Sequence, residues 1–137
     1  MPAMTDVLVA GSANLDLVVR TARLPSPGET VLGRDFAAHP GGKGANQAVA
    51  CARAGGAPTR MLLALGDDAN AAVLEASLAA AGVRQHVVRA AGVATGVALI
   101  GVADDGENSI VVASGANMAL RPEHLRSEER RVGKECL

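Results

Sequence analysis

The sequence predicts an α/β fold in which a parallel sheet carries crossover helices and a small antiparallel sheet stands apart from it. Three observations predict it. Short apolar runs alternate with helical patterns from Asp6 to Arg89. Glycines or acidic caps punctuate each change of element. After residue 94 the rhythm switches to two β-rich runs joined by a tight acidic turn.

The elements follow in order. DVLVA, Asp6 to Ala10, is a short apolar run ending at Gly11 and reads as a buried strand. NLDLVVR, residues 14–20, reads as an extended run, and residues 31–37 as another. LPSPGET between them carries two prolines and a glycine, which is turn chemistry. From Gly44 to Ala54 the pattern is helical, with Ala45, Ala48, Val49 and Ala52 on one face. Gly55 and Gly56 end it. RMLLAL, residues 60–65, is a second buried strand. Asp67 or Asp68 caps a helix that runs to about Ala81 and stops at Gly82. Gln85 to Arg89 supplies a third core strand. TGVALIGVA (95–103) and NSIVVA (108–113) form a hairpin around DDGE. Pro122 suits the first turn of a helix. Beyond Leu125 the charged string offers little to pack and is expected to fray.

Composition narrows the function. A chain of 137 residues makes one compact domain. A net charge of -1 argues against nucleic acid, which demands a basic face. Phe36 is the lone aromatic, so base-stacking platforms are not expected either. No apolar run reaches membrane-spanning length and no signal peptide is visible, so the expectation is a cytoplasmic protein with no membrane partner. Two cysteines, Cys51 and Cys136, are too few for a disulfide framework, and Cys51 is expected as a buried thiol within a helix.

The chemistry concentrates in HPGGKGANQA, His39 to Ala48. A Walker-type loop needs a hydroxyl after its lysine to ligate magnesium, and here Gly44 follows Lys43. A dinucleotide turn needs a third glycine where Gln47 stands. Both nucleotide readings fail. What remains is a glycine-bearing helix entry, where backbone can approach a ligand and N–H groups are free to donate. Lys43 adds three donors, and Asn46 adds an amide one turn on. A second polar pair, Asn14 and Asp16, lies two apart in an extended run and so on one face, just past the first strand. That is the ligand edge of an open α/β sheet. A carboxylate and an amide that accept, facing a lysine and an amide that donate, suit a polyol. Ordinary turn chemistry is the competing account of Asn14 and Asp16.

Taken in order, GSANLD, PSPGET, GGKGANQA, GDD, TGVALI, GEN and GANMAL resemble the ribokinase-like sugar kinases over roughly residues 6–120. The resemblance implies a partial doubly wound, Rossmann-like core (about 1–13, 38–93 and 114–125) and a small β lid (about 14–37 and 94–113). It implies ATP-dependent phosphorylation of D-ribose at its 5-hydroxyl, with Mg2+ and a monovalent cation such as K+. It implies that Asn14 and Asp16 bind ribose hydroxyls, and that Gly42, Lys43, Gly44 and Asn46 hold the sugar from the other side. Ala98 and Val112 match lid positions that pack on the sugar, although plain strand packing explains them equally well. The lid commonly forms a homodimer contact in such proteins.

The departures are as informative. The family's catalytic aspartate lies in a glycine-rich segment with no counterpart in these residues. The expectation is therefore part of a sugar site with no catalytic residue, no metal site and no ATP site of its own, and no kinase activity. After LRPEHL the string RSEERRVGKECL, residues 126–137, departs from the family pattern and reads as a translated flank. A non-catalytic sugar-binding or dimerisation module, or part of a related kinase such as a deoxyribokinase, are the alternatives. A half-built sheet would also leave an open edge and bare apolar faces.

Overall fold

The computed structural model describes residues 5–135. In chain order its elements are β1 (Val7–Ala10), β2 (Asn14–Thr21), β3 (Asp35–Gly41), α1 (Lys43–Ala54), β4 (Thr59–Leu65), α2 (Ala69–Ala80), β5 (Arg84–Arg89), β6 (Val97–Ala103), β7 (Asn108–Ala113), a 3-10 turn (Gly115–Ala119) and α3 (Pro122–Glu135). The strands divide into two sheets. One is parallel, in the order β1-β4-β5; the other has four strands in the order β3-β2-β6-β7.

The parallel sheet is built on β4. All seven of its residues are buried, as expected for a central strand covered on both faces. Met61, Leu63 and Leu65 point to one face and pack with Ala45 and Ala48 of α1 and Leu74 and Leu78 of α2. Burying each such leucine contributes about 2 kcal/mol. The small residues of α1 let that helix sit close to the sheet. Asp68 caps α2 by accepting from the Ala71 N–H at 2.9 Å. Gly82, at φ +82°, closes the helix, and its N–H bonds to Ala79 O at 3.0 Å. Both ends of α2 thus fall where capping chemistry places them.

The second sheet differs from expectation in two ways. It is mixed, because its central pair β2 and β6 run parallel, whereas β2–β3 and β6–β7 are antiparallel. The reason is topological: β2 follows β1 and β6 follows β5, so both leave the C-terminal end of the parallel sheet in the same direction. β3 also lies later than the expected 31–37. Its register pairs Asn14 with Gly41 and Arg20 with Asp35, so His39, Pro40 and Gly41 belong to a strand. Residues 31–34 are connecting chain, with the Leu32 side chain in solvent and Arg34 N bonded to Arg20 O at 2.8 Å. The hairpin between β6 and β7 forms as expected. Gly106 takes φ +88° and Ala103 N bonds Glu107 O at 2.8 Å.

The expectation that nothing beyond Leu125 packs is overturned. Residues 122–135 are helical, and Glu128 is only 4% exposed. Its carboxylate meets Arg60 of β4 at 3.4 Å and His86 of β5 at 3.2 Å. Arg60, itself buried, also faces Asp6 at 3.5 Å. A buried guanidinium demands an anion, and that demand, invisible in local hydrophobic periodicity, draws α3 onto the sheet. Cys51 is a half-buried thiol rather than a fully buried one, and accepts from Thr59 Oγ1 at 3.5 Å. Cys136 lies outside the described residues. Among the described residues no helix is long and apolar enough to cross a membrane.

Candidate sugar-binding site

The site lies where the chain passes from one sheet to the other. β1 ends at Ala10, and after three intervening residues β2 begins at Asn14 in the second sheet. The entry of α1 is pressed against that crossing. Gly11 N bonds Leu62 O at 3.2 Å, and Ala45 N donates to Ser12 O at 2.9 Å. A Cβ on Gly44 would lie 2.7 Å from Gly11 C and Ser12 N, so only glycine fits. Gly42 precedes α1 at φ +96°, and a Cβ there would sit 2.8 Å from Ala13 Cα. Gly42 and Gly44 of the Gly-Gly-Lys-Gly run are therefore explained by two backbones in contact, a requirement independent of any ligand.

Asn14 and Asp16 share one face of β2, as the alternation of a strand requires. Gly41 lies across from Asn14, and a Cβ on it would overlap the Asp16 carboxylate. The missing side chain is what leaves room for that carboxylate. Across the four strands the register places His39, Asp16, Ala98 and Val112 in one row, on one face of the sheet. Ala98 is 5% exposed, whereas Val112 is largely open. Partial burial pushes the Asp16 carboxyl above its ordinary range, and the facing His39 pulls it part of the way back.

Two predicted residues stand further out. Lys43 is exposed at the start of α1. Asn46 lines a groove of about 380 Å³ between α1 and α2, with Pro40, Val49, Arg53, Leu74 and Leu78. Pro40 alternates with His39 along β3 and so lies on the opposite face from Asp16.

Two groups escaped the sequence reading. Asn117, in the 3-10 turn, donates to Asn14 Oδ1 at 2.7 Å and accepts from Ala13 N at 3.0 Å. Thr95 joins the sheets: its N–H and hydroxyl both donate to Asp68, at 2.8 and 2.7 Å, and its Oγ1 accepts from Gly66 N at 3.0 Å. These bonds, with that from Ala71 N, hold the Asp68 carboxyl below its ordinary range. The only local signals were an asparagine after a glycine-alanine pair and an aspartate at a helix start. Neither names a partner some 27 or 103 residues away.

The site's polar groups converge on oxygen-rich chemistry: a carboxylate, amides, and a glycine-lined approach of backbone. Residues 4–135 match the pfkB family carbohydrate kinases. The chain belongs to that family. Among curated relatives, the ribokinase of Lactococcus lactis subsp. lactis is 44% identical over 122 residues, covering 89% of this chain and 40% of the relative. The deoxyribokinase of Salmonella typhi is 38% identical over 121 residues, covering 88% of the chain and 39% of the relative. Among solved structures, the ribokinase of Giardia lamblia superposes with a TM-score of 0.81 at 35% identity, over 89% of this chain and 37% of that one. The Arabidopsis thaliana ribokinase complexed with ribose and ATP gives 0.72 at 38% identity, over 84% and 37%. The chain thus spans about two-fifths of the length of the pfkB relatives it matches.

Among the described residues, no group of three or more His, Cys, Asp or Glu is placed to hold a metal ion. Lys43 is not followed by the hydroxyl of a phosphate loop.

Proposed function

We propose that this chain carries one wall of the D-ribose site of a ribokinase, and that it does not transfer phosphate by itself. The observation that carries the reading is the Asn14–Asp16 pair, set on one strand face beneath Gly41 and beside the glycine-bearing entry of α1. Asp16 accepts hydroxyl protons, and the Asn14 amide and the α1 entry complete a polar rim. Ala98 and Val112, in the same row as Asp16, give the sugar an apolar contact. Lys43 and Asn46 act at the outer edge of this site.

In this reading the whole protein phosphorylates the ribose 5-hydroxyl with ATP, helped by Mg2+ and K+, in the cytoplasm. Phosphoryl transfer depends on positioning and charge stabilisation around the phosphate, and the residues present supply only the sugar side. The second sheet serves as the lid and as a homodimer contact. Its outer face supports the latter: Phe36, Leu99 and Val111 are 66%, 52% and 63% exposed around a groove of about 430 Å³. The similarity to a deoxyribokinase keeps a 2-deoxy sugar as the second reading of the substrate.

The test has two arms. In a coupled assay with D-ribose, ATP, Mg2+ and K+, the chain alone gives no turnover; measurable turnover would sink the claim of inactivity. A chimera in which the remainder of the Lactococcus lactis ribokinase follows residue 120 phosphorylates D-ribose, and Asp16→Ala lowers its kcat/KM by at least about 100-fold, in line with a lost charged hydrogen-bond acceptor. A chimera indifferent to Asp16 would overturn the site.

A further inference from the structure

We propose that Asn117 sets the hydrogen-bonding polarity of Asn14, so that Asn14 offers its ligand a donor and Asp16 alone offers acceptors. Asn117 is a positioning residue in this scheme.

The polarity follows from groups that cannot exchange roles. The Ala13 N–H can only donate, and the atom facing it at 3.0 Å is therefore the Asn117 oxygen. The other end of that amide faces Ala13 O at 3.2 Å and Ser114 O at 3.0 Å, and carbonyl oxygens only accept. The Asn117 Nδ2 assignment is thus dictated by three backbone groups. A donor cannot face a donor, so the Asn14 atom 2.7 Å from Asn117 Nδ2 is its oxygen. The Asn14 NH2 is left over, without a hydrogen bond among the described residues. It stands on the β2 face that also carries Asp16.

Gly96 supports the same arrangement. A Cβ there would overlap both Asn14 Oδ1 and Asn117 Nδ2, so the amide pair lies directly against its backbone. Leu15 N bonds Gly96 O at 2.9 Å, which ties the glycine to the strand that bears Asn14. The consequence for a polyol is specific. The oxygen beside Asn14 is held through its lone pair, and the hydroxyl beside Asp16 is held through its proton. The expectation that both residues accept is replaced by a donor–acceptor pair.

The ligand half of this inference rests on the proposed sugar site; the polarity half does not. The experiment separates them. In the full chain labelled with 15N, the side-chain amide protons of Asn117 exchange slowly with solvent in the free protein, and those of Asn14 exchange fast. Protected Asn14 protons with fast Asn117 protons would overturn the proposal. Adding D-ribose slows exchange at Asn14. Asn14→Asp keeps an acceptor toward Asn117 and loses the donor; it leaves Asn117 protected and weakens D-ribose by about tenfold or more. Asn117→Asp keeps the acceptor for Ala13 N and inverts the pair, so Asn14 becomes protected in the free chain and D-ribose binding falls by a similar factor. An Asn117→Asp protein with unchanged Asn14 exchange refutes the proposal. If that variant does not fold, the wild-type exchange pattern and Asn14→Asp still decide. Should the wild type bind no D-ribose, the sugar reading fails for the isolated chain while the exchange pattern still decides the polarity.

Discussion

The two sheets of this protein are opposites. Every residue of β4 in the parallel sheet is buried, whereas every residue of β7 in the second sheet is exposed. The parallel sheet is held by apolar side chains packed from both sides. The second sheet is held mainly by its backbone ladder and by hydrogen bonds at its root, Asn117–Asn14 and Thr95–Asp68. Apolar burial concentrates in one, and the proposed sugar site lies at its border with the other. In that proposal the second sheet leaves one face open to the ligand and does not bury it against its own chain.

The largest expected effect breaks the packing side of that contrast. Leu63→Ala in β4 costs about 2–5 kcal/mol by denaturant unfolding, because Leu63 is fully buried between the sheet and its helices. Val111→Ala in β7, with its side chain 63% exposed, stays within about 0.5 kcal/mol. Comparable losses at both positions would mean that the outer face is covered in solution. Next comes the seam between the sheets. Gly44→Ala drives a methyl into Gly11 and Ser12 and costs roughly 1–3 kcal/mol. A neutral result would show that α1 can back away from the crossing.

The root of the second sheet is an effect of similar size. Thr95→Val removes the hydroxyl that joins Asp68 to Gly66 N and costs about 1–3 kcal/mol through unpaired buried groups. Its pH dependence has a sign. Asp68 is depressed in the folded state, so its contribution is full above the ordinary value of 3.8 and is lost as pH falls through the folded value. Thr95→Val shrinks that acid loss. Asp16 is raised, so it works the other way: stability falls as pH rises from 3.8 through the folded value. Asp16→Asn flattens that segment of the melting-temperature profile, and an unchanged slope would exclude the burial of Asp16 as its cause. The smallest effect is on the surface. The Glu29 carboxyl is held down to about 2 by Arg23 and the Ser26 N–H. In Arg23→Ala an NMR titration finds Glu29 raised part of the way toward the ordinary glutamate value of 4.5, the Ser26 N–H still holding it down, with no shift in melting temperature.

Legibility in the sequence followed the same division. The core strands and both main helices were readable because burial writes an apolar pattern and caps write local chemistry. RMLLAL became β4 and Asp68 became the cap of α2. β3 was misplaced because HPGG carries a proline and two glycines, all strand-averse, and only pairing with β2 makes the strand extend through Gly41. The parallel pairing of β2 with β6 was hidden for a similar reason, since partner choice between distant strands leaves no local mark. Of the site, Asn14, Asp16 and the glycines were visible as residue types at telling places. Asn117 was not, because its importance lies in which atoms it faces.

By itself the sequence determined the alternation of strand and helix and the helix ends. These are local quantities: period, propensity and capping. Tertiary structure alone decided that β2 and β6 run side by side, that Glu128 is drawn in by the buried Arg60, and that Asn14 turns its oxygen inward to Asn117. Each of those depends on burying a polar group that must then find its partner. That partner is set by distance in space and has no fixed offset along the chain.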